Sequence, residues 1–472
     1  MNYNILQFEE PIMNHSLNSA MNFIKENNDH FIEEFTEFLK IPSISSNSNH
    51  SNDMMRAAKF LVNILNECGI KNTRILETQK YPVVFAEYRD AGKDKPTILM
   101  YGHYDVQPPD PLNQWTNDPF DPMIKDGFIY ARGASDMKGQ LMVILSAINA
   151  IQSTGSLPVN LKFMIEGEEE IGSPSIKTFL EENKELFKAD FVLNLDAGMI
   201  AKDKPTIVYG LRGLAYFELH IYGPEHDLHS GLFGGIIYNP IQALTELIAG
   251  MKNSEGQILL PGFYDDVIPI NEDERDALSK LNQGSEYFIN QTGVRALWGE
   301  KGFEPVELIG ARPTLDINGI VSGHVGEGPK TVIPSHAMAK LSMRLVPNQT
   351  PSKVFSQLTQ YVEQNAPPQV KWEIKQLASD PACITDRNFY ATKCLAKSLE
   401  EIWGVKPVYK REGGSIPIVA HMQEILGLES VLSGFGIPED RIHSPNENMN
   451  LNIFFKGIET VINYLYKMAE EC

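Results

Sequence analysis

The sequence predicts an α/β fold, in which a mostly parallel sheet is flanked by helices and interrupted by an inserted α+β domain. Short apolar runs alternate with helical patterns over the first 200 or so residues, which is typical of such a sheet. Two of these runs, LKFMI and FVLNL, are almost continuously apolar, as expected for central strands buried on both faces. Near Gly210 to Gly213 the pattern changes, and the runs LAYFELHIYG and KLSMRLV instead alternate apolar and polar residues. This change indicates a second domain.

The predicted elements follow in chain order. From Ser16 to Lys40 apolar residues recur at intervals of three and four, which predicts one amphipathic helix ended by Ile41-Pro42. A second helix is expected over 54–68, before Gly69. The first domain continues with the strands VVFAEY and TILMYG, a helix over 138–151, the strand LKFMI, a helix over 175–186 and the strand FVLNL.

Strand and helix alternation resumes from Phe389, with a helix through TKCLAKSLEEIWG, the strand VYK and a last amphipathic helix over 451–468. The inserted domain is therefore expected at 212–385. The ranges 1–211 and 386–472 together form the domain that it interrupts.

Composition and charge exclude several classes of function. The 472 residues are 42% hydrophobic and 22% charged, which is ordinary for a globular protein. A formal net charge of -20 would repel nucleic acid and an anionic membrane surface, so neither is an expected partner. The N-terminal residues lack a basic and apolar leader, no run of 18 apolar residues occurs, and no C-x-x-C pair is present. A cytoplasmic protein is the expectation.

Residues that can bind metals or transfer protons follow several of the predicted strands. In open α/β sheets, ligands bind beyond the carboxyl ends of the strands. Such positions are held by His103 and Asp105 after TILMYG, Glu168, Glu169 and Glu170 after LKFMI, Asp196 after FVLNL, Asp136 before a helix, and His443 before the last helix.

Each of these features also has an ordinary structural explanation. His103 and Asp105 are compatible with a surface turn, Asp136 with a helix cap, and an acidic run with a solvated face. The three adjacent acids at 168–170 are harder to explain in this way, because neighbouring carboxylates repel one another unless cations neutralise them. The sequence therefore predicts a cation at this edge of the sheet.

The ligand types favour two divalent ions. Imidazole and carboxylate ligands without thiolates suit zinc at ~2.0–2.2 Å, with manganese and cobalt as alternatives. The charge of two zinc ions is balanced by the carboxylates of Asp136, Glu170 and Asp196 together with a bridging hydroxide. Paired metals activate a shared water and polarise a carbonyl group. Glu169, next to a ligand, fits the role of general base and acid.

The order of motifs resembles a known enzyme family. GHYDVQP, RGASDMKGQ, EGEEEIGS, NLDAG, HSGLFGG, VIPSHAMAKLSMRLVP, REGGSIP and HSPNE are similar to motifs of the di-zinc metallopeptidases that include cytosolic non-specific dipeptidases, carnosine dipeptidases, aminoacylases and glutamate carboxypeptidases. The resemblance extends from about Phe23 onward. It is closest to the branch of non-specific dipeptidase and carnosinase, because REGGSIP and MRLVPNQTP read as they do there.

This resemblance implies a role for each residue of the cluster. His103 and Asp196 would hold one metal, Glu170 and His443 the other, and Asp136 would bridge both. Asp105 would orient the imidazole two residues before it. The resemblance also implies a cis peptide bond between Asp136 and Met137.

The inserted domain resembles the family's lid and dimerisation domain. His229 matches a histidine that reaches across a homodimer to stabilise the oxyanion of the neighbouring site, with a helix cap or a core histidine as the alternative. Arg344 suits the terminal carboxylate of a substrate, with a surface salt bridge as the alternative. Gly413, Gly414 and Ser415 would let backbone N–H groups approach the same substrate, or would simply form a turn.

The sequence thus predicts a metallopeptidase that cleaves dipeptides with a free C-terminal carboxylate, through a water that bridges two metals and is deprotonated by Glu169. An N-acyl amino acid deacylase or a carboxypeptidase on the same scaffold is the alternative. A peptide-binding protein without catalysis would not need the proton shuttle Glu169. A structural zinc site would be mononuclear and usually rich in cysteine.

Overall fold

The structure is a computed structural model that describes residues 12–414 and 416–470. The chain divides into two compact units. Of the described residues, the first unit comprises 12–209, 385–409 and 421–470, and the second comprises 210–384, 410–414 and 416–420.

The elements of the first unit belong mainly to the two ends of the chain. Its helices are α1 (Ile12–Glu26), α2 (Asn28–Leu39), α3 (Ser51–Glu67), α4 (Lys138–Thr154), α5 (Ile176–Glu182), α12 (Tyr390–Trp403) and α14 (Leu451–Glu470). Its strands are β1 (Lys71–Leu76), β2 (Val83–Tyr88), β3 (Thr97–His103), β4 (Met123–Lys125), β5 (Phe128–Tyr130), β6 (Asn160–Glu166), β7 (Phe191–Asn194), β17 (Glu429–Leu432) and β18 (Asn448–Asn450).

The second unit is formed mainly by the middle of the chain. Its helices are α6 (Ser230–Phe233), α7 (Pro240–Gly250), α8 (Glu272–Ser279), α9 (Ser285–Thr292), α10 (Pro305–Gly310) and α11 (Pro351–Asn365). Its strands are β9 (Gly213–Tyr222), β10 (Leu228–His229), β11 (Thr314–Ser322), β12 (Val332–Ile333), β13 (His336–Leu345), β14 (Lys371–Asp380) and β15 (Cys383–Ile384). The division between the units falls within β8 (Thr206–Leu211), β16 (Val408–Glu412) and α13 (Pro417–His421).

The large sheet has the order β1-β2-β6-β3-β7-β17-β8, with β15 and β16 also pairing with β8. Its central strands β6, β3, β7 and β17 are parallel, whereas β1, β2 and β8 pair antiparallel at the edges. The predicted α/β fold with a mainly parallel sheet is confirmed. Every residue of β3, β6 and β7 is buried, as their continuous apolar runs require.

The predicted helix over Ser16 to Lys40 is wrong in one respect, because two helices, α1 and α2, cover this segment. At Asn27 the backbone leaves the helical region, and the Asn27 side chain donates to the carbonyl oxygen of Phe23 at 2.8 Å. An asparagine side chain competes in this way with the backbone for its partners. Both helices remain amphipathic, so the apolar periodicity continues across the break and conceals it.

The second unit is organised around a four-stranded antiparallel sheet with the order β11-β13-β9-β14. Along β13 buried residues alternate regularly with half-buried ones, as its sequence predicts. The buried side chains of β9 and β13 pack against apolar residues of α7 and α11, such as Leu244 and Leu358. Arg344 therefore lies on the sheet face opposite to this core.

Among the residues described, no helix has both the length and the apolar character that a membrane span requires.

Gly139 in α4 tests how tightly the first unit is packed. A Cβ atom at this position would lie 2.1 Å from the carbonyl oxygen of Ala134, 2.6 Å from Met449 Sδ and 3.1 Å from Phe35 Cζ. We expect Gly139→Ala to destabilise the protein by about 1–3 kcal/mol through overpacking, measured as a lower midpoint of urea unfolding. Gly284→Ala is the matched control, because a Cβ there meets no heavy atom within 4 Å. Equal midpoints for the two variants would contradict the prediction.

Candidate metal centre

Three neighbouring strands bring acidic and imidazole side chains to one edge of the large sheet. β3 lies between β6 and β7, with His103 opposite Glu166 and Tyr101 opposite Asn194. His103 is the last residue of β3, and Asp196 follows β7 by two residues. Because these strands are parallel, the residues after their carboxyl ends converge.

His103, Asp136 and Asp196 form the first possible metal-binding group. The side chain of His103 is fully buried, and its Nε2 atom lies 3.1 Å from Asp136 Oδ1 and 3.6 Å from Asp196 Oδ1. Asp136 and Asp196 retain exposed fractions of only 15% and 12%. One imidazole nitrogen and two carboxylate oxygens are thus close enough to share one cation.

Asp136, Glu170 and His443 form the second group. His443 Nε2 lies 2.8 Å from Asp136 Oδ2 and 3.3 Å from Glu170 Oε2. The two oxygens of Asp136 therefore face different histidines, as expected of a carboxylate that bridges two ions. The structure brings together all five side chains that the sequence predicts as ligands, and the Asp136–Met137 peptide bond is cis, as the resemblance implied.

Asp105 connects the first strand end to the acidic segment. Its buried carboxylate lies 3.4 Å from His103 Nδ1, and its two oxygens accept the backbone N–H groups of Glu169 at 3.3 Å and Glu170 at 3.0 Å. The His103 ring also contacts the Asp105 carbonyl oxygen, through Nδ1 at 3.0 Å. Asp105 thus lies beside the Nδ1 side of the imidazole and also binds the backbone of the two glutamates.

The three adjacent acids do not share one environment. Glu168 is buried, and its carboxylate accepts from the Thr78 hydroxyl at 2.8 Å, the Tyr81 amide at 2.8 Å and the Ser175 amide at 3.1 Å. Protein donors therefore satisfy the Glu168 carboxylate without a cation. Glu170 belongs to the second group of ligands, and Glu169 lies between the two.

The electrostatics of the cluster are dominated by its carboxylates. Burial raises the pKa of Glu169 well above its usual value, and the neighbouring acids Asp196 and Glu170 add to the effect. Hydrogen bonds to Asp136 and Glu170 raise the pKa of His443 to about 10. Burial alone would lower the pKa of His103, but the negative charge of nearby carboxylates, chiefly Asp196, raises this pKa well above its usual value. Negative potential of this strength favours cations at the centre of the cluster.

The donor set fits divalent cations. Glu170 Oε1 is buried and makes no hydrogen bond, although a buried carboxylate oxygen normally has a partner. His and carboxylate ligands, in two groups that meet at one aspartate, match the chemistry of paired divalent metals.

The predicted lid residues lie in the second unit. His229 ends β10 and is exposed, and its Nδ1 atom accepts the backbone N–H of Gly231 at 3.0 Å. Arg344 on β13 pairs in register with Leu214 and Thr314. The helix-cap alternative for His229 is thus realised in the structure, and it leaves the second ring nitrogen for other partners.

Gly413 and Gly414 follow β16, whereas Ser415 lies outside the described residues. The Arg212 Nε atom donates to the carbonyl oxygen of Gly413 at 3.0 Å. Burial, and then the nearby Arg344, lowers the pKa of Arg212 to about 10. Arg212, which the sequence indicated only as a domain boundary, therefore contacts Gly413 and lies near Arg344.

Sequence reasoning also missed the residues that support the metal ligands. Gln107 donates through Nε2 to Glu170 Oε2 at 2.8 Å, and Glu447 accepts N–H groups from the loop that carries Asp136. Both belong to motifs quoted above, GHYDVQP and HSPNE, so their positions beside ligands were the available signal.

Comparisons with known proteins agree with the composition of the site. A family model described as peptidase family M20/M25/M40 matches residues 99–467, a range that contains all five candidate ligands. Human Beta-Ala-His dipeptidase is 34% identical over 401 residues, covering 82% of this chain and 78% of that protein. The Cys-Gly metallodipeptidase DUG1 of Candida albicans is 32% identical over 471 residues, covering 94% of this chain and 95% of its own. The crystal structure of the M20 family metallo-carboxypeptidase Sso-CP2 from Sulfolobus solfataricus has 34% identity and a TM-score of 0.82, covering 93% and 99% of the two chains.

Metal stoichiometry tests the arrangement of the cluster. Because both groups contain Asp136, we expect Asp136→Asn to lose both bound ions, whereas Asp196→Asn and His443→Ala each lose one. The measurement is elemental analysis of the protein after dialysis against buffered zinc. His30→Ala, an exposed histidine on α2, is the control and should retain the wild-type content. Wild-type content in Asp136→Asn would refute the shared carboxylate.

Proposed function

This chain belongs to the peptidase family M20/M25/M40, and we propose on this premise that it hydrolyses the peptide bond of dipeptides that carry a free C-terminal carboxylate. It is a metallodipeptidase, like the Cys-Gly and Beta-Ala-His dipeptidases that it resembles. The observation that carries the proposal is the meeting of two ligand groups at the two oxygens of Asp136, with the half-buried Glu169 beside them.

The proposed ligands follow the observed groups. His103 and Asp196 would hold one ion, Glu170 and His443 would hold the other, and Asp136 would contribute to both sites. Zinc suits this set of imidazole and carboxylate ligands, and manganese and cobalt are the alternatives. When bound, the two ions polarise the scissile carbonyl and make water more acidic.

Glu169 is the proposed general base and acid. Burial raises the pKa of its carboxyl group, which favours retention of a proton taken from water until the leaving amine accepts it. The backbone N–H of Glu169 donates to the Asp105 carboxylate, and this hydrogen bond holds the Glu169 backbone in position. A protein that only bound peptides would not need this group.

Arg344, Gly413, Gly414 and Ser415 are the proposed substrate-binding residues. A guanidinium can bind a terminal carboxylate through two parallel hydrogen bonds. Arg212 adds a second positive charge nearby and contacts the Gly413 carbonyl oxygen, which supports an anion-binding role for this part of the second unit. Recognition of the terminal carboxylate restricts cleavage to the last peptide bond of the substrate.

We further propose a homodimer formed through the domain at 212–385, in which His229 serves the site of the partner subunit. Exposed apolar residues of this domain support the proposed interface. They are Leu232, Ile236 and Val325, with exposed fractions of 74%, 76% and 91%. Since His229 Nδ1 accepts the Gly231 N–H, the neutral ring carries its proton on Nε2 and can donate it to an oxyanion.

A cytoplasmic location is proposed as well. Cys68 is buried as a thiol, and burial raises its pKa to about 12, so that it is inert as a nucleophile. Reduced, buried thiols are usual in proteins of the cytoplasm. Fractionation of cells that express the chain tests this location.

Carboxypeptidase activity is the second candidate, because one structure of similar fold is a metallo-carboxypeptidase. A substrate panel separates the candidates: Ala-Gly, N-acetyl-Ala-Gly, Ala-Gly amide and N-acetyl-alanine, with Cys-Gly and β-Ala-His as further dipeptides. We expect the zinc-loaded enzyme to cleave only the free dipeptides. Release of glycine from N-acetyl-Ala-Gly would indicate a carboxypeptidase, and release of acetate from N-acetyl-alanine a deacylase.

Two variants assign the residues in the same assay. Glu169→Gln should lower kcat by about 10²–10⁴-fold while the bound metal is unchanged. Arg344→Met should raise KM for the free dipeptide by roughly 10–100-fold, since a hydrogen bond to a charged group is lost. Arg344→Met should also abolish the preference for the acid over the amide. An unchanged kcat in the Glu169→Gln variant would refute the role of Glu169 as general base.

Complementation between inactive subunits tests the dimer and the role of His229 together. In a mixture of His229→Ala with Glu169→Gln subunits, a mixed dimer contains one site with an intact Glu169 and an intact partner His229. Random reassociation should therefore restore roughly a quarter of wild-type activity. Each variant alone should remain nearly inactive. Activity that stays at the level of the separate variants would show that His229 does not act across an interface.

A further inference from the structure

The segment that carries His443 is attached to the loop that carries Asp136 at two points, one on each side of His443. Glu447 accepts backbone N–H groups from Gly133, Ser135 and Asp136 at 3.1, 3.0 and 3.1 Å. On the other side, Asp440 Oδ2 accepts the hydroxyl of Ser135 at 2.8 Å. These contacts join residues that lie more than 300 positions apart in the sequence.

Glu447 is placed to organise this loop. Its side chain is buried, Oε1 accepts the N–H groups of Ser135 and Asp136, and Oε2 accepts that of Gly133 and a guanidinium N–H of Arg132 at 2.6 Å. Both oxygens thus receive two donors, which uses the full acceptor capacity of a carboxylate. The Arg132 side chain is also buried and donates to the carbonyl oxygen of Pro108 at 3.1 Å.

The segment around His443 is irregular and depends on such contacts for its shape. Arg441, His443 and Asn446 all have positive φ angles, between 57° and 63°. Non-glycine residues adopt this conformation at some cost in free energy, so surrounding contacts must hold it. Asn446 adds such a contact by accepting the Thr116 N–H at 2.7 Å, and the His443 side chain itself remains 52% exposed.

We propose that Glu447, assisted by Asp440, is a positioning residue that fixes Asp136 and His443 at the separation that the metal cluster requires. This inference rests on the proposed ligand roles. A preorganised pair of ligands loses less conformational entropy when a cation binds than a mobile pair does. Because Asp136 belongs to both groups of ligands, loss of the Glu447 contacts weakens both metal sites.

Glu447→Gln tests the proposal with almost unchanged shape, since glutamine has one acceptor oxygen and cannot satisfy the same four donors. We expect the dissociation constants of both zinc ions to rise about 10–100-fold, measured by competition with a fluorescent chelator. At saturating zinc, kcat should return toward the wild-type value while KM for Ala-Gly stays unchanged.

Glu307→Gln is the matched control. Glu307 is also a buried carboxylate that pairs with an arginine, Arg275 at 3.2 Å, and accepts a backbone N–H, that of Glu304 at 2.8 Å, but it lies in the second unit. The Glu307→Gln substitution should lower the melting temperature of the protein and leave its zinc affinity unchanged. If Glu447→Gln behaves in the same way, the positioning role is refuted.

Ser135→Ala provides a milder test in case Glu447→Gln does not fold. It removes only the hydroxyl that Asp440 accepts and keeps the backbone N–H that Glu447 accepts. We expect a zinc affinity about 3–10-fold below that of the wild type, because one hydrogen bond to Asp440 is lost. An unchanged affinity would overturn the proposal. Zinc binding is measured without substrate. The test of the positioning role therefore gives a result even if the protein does not cleave dipeptides.

Discussion

The structure of the candidate centre depends on one carboxylate that two imidazoles share. Asp136 Oδ1 faces His103, Asp136 Oδ2 faces His443, and Asp196 and Glu170 close the two groups. In a buried environment this many acids are tolerated only with positive charge among them, because the desolvation of a carboxylate is unfavourable. The same requirement explains the central position of β3, which delivers a fully buried imidazole to the middle of the acidic edge.

In the segment EGEEE, chemically identical glutamates differ in their properties because their surroundings differ. Burial raises the pKa of Glu166 to about 8, and its carboxyl accepts the Tyr101 hydroxyl at 2.9 Å. Glu168 is anchored by protein donors, whereas Glu170 contacts His443 through Oε2 and its buried Oε1 makes no hydrogen bond. Burial also raises the pKa of Glu169, which stands between Glu168 and Glu170 in the sequence. Separated environments of this kind are what acid–base chemistry by identical side chains requires.

Whether a structural feature can be predicted from the sequence depends on how far apart in the chain its interacting residues lie. The runs LKFMI and FVLNL predicted buried strands, because burial on both faces of a parallel sheet leaves a local apolar signature. The break at Asn27 was missed, since it depends on a side-chain hydrogen bond and preserves the apolar period. The positions of His103, Glu170 and Asp196 after apolar strands predicted a cation site, whereas the complete ligand set was implied by the family resemblance. Thr78 and Tyr81 lie 90 and 87 positions from Glu168, and the loop donors of Glu447 lie more than 300 positions from it, so these contacts leave no such local trace.

The distribution of the ligands along the chain constrains how the centre can assemble. Residues 12–209 contain His103, Asp136, Glu170 and Asp196, which are four of the five candidate ligands and one complete candidate group. They lack His443, and they also lack Glu447, so the N–H groups of the Asp136 loop would have no carboxylate acceptor. Unsatisfied buried donors and a mobile bridging ligand both disfavour cation binding. The metal centre is therefore completed only when the last part of the chain joins the sheet built by the first, which couples metal binding to folding of the whole first unit.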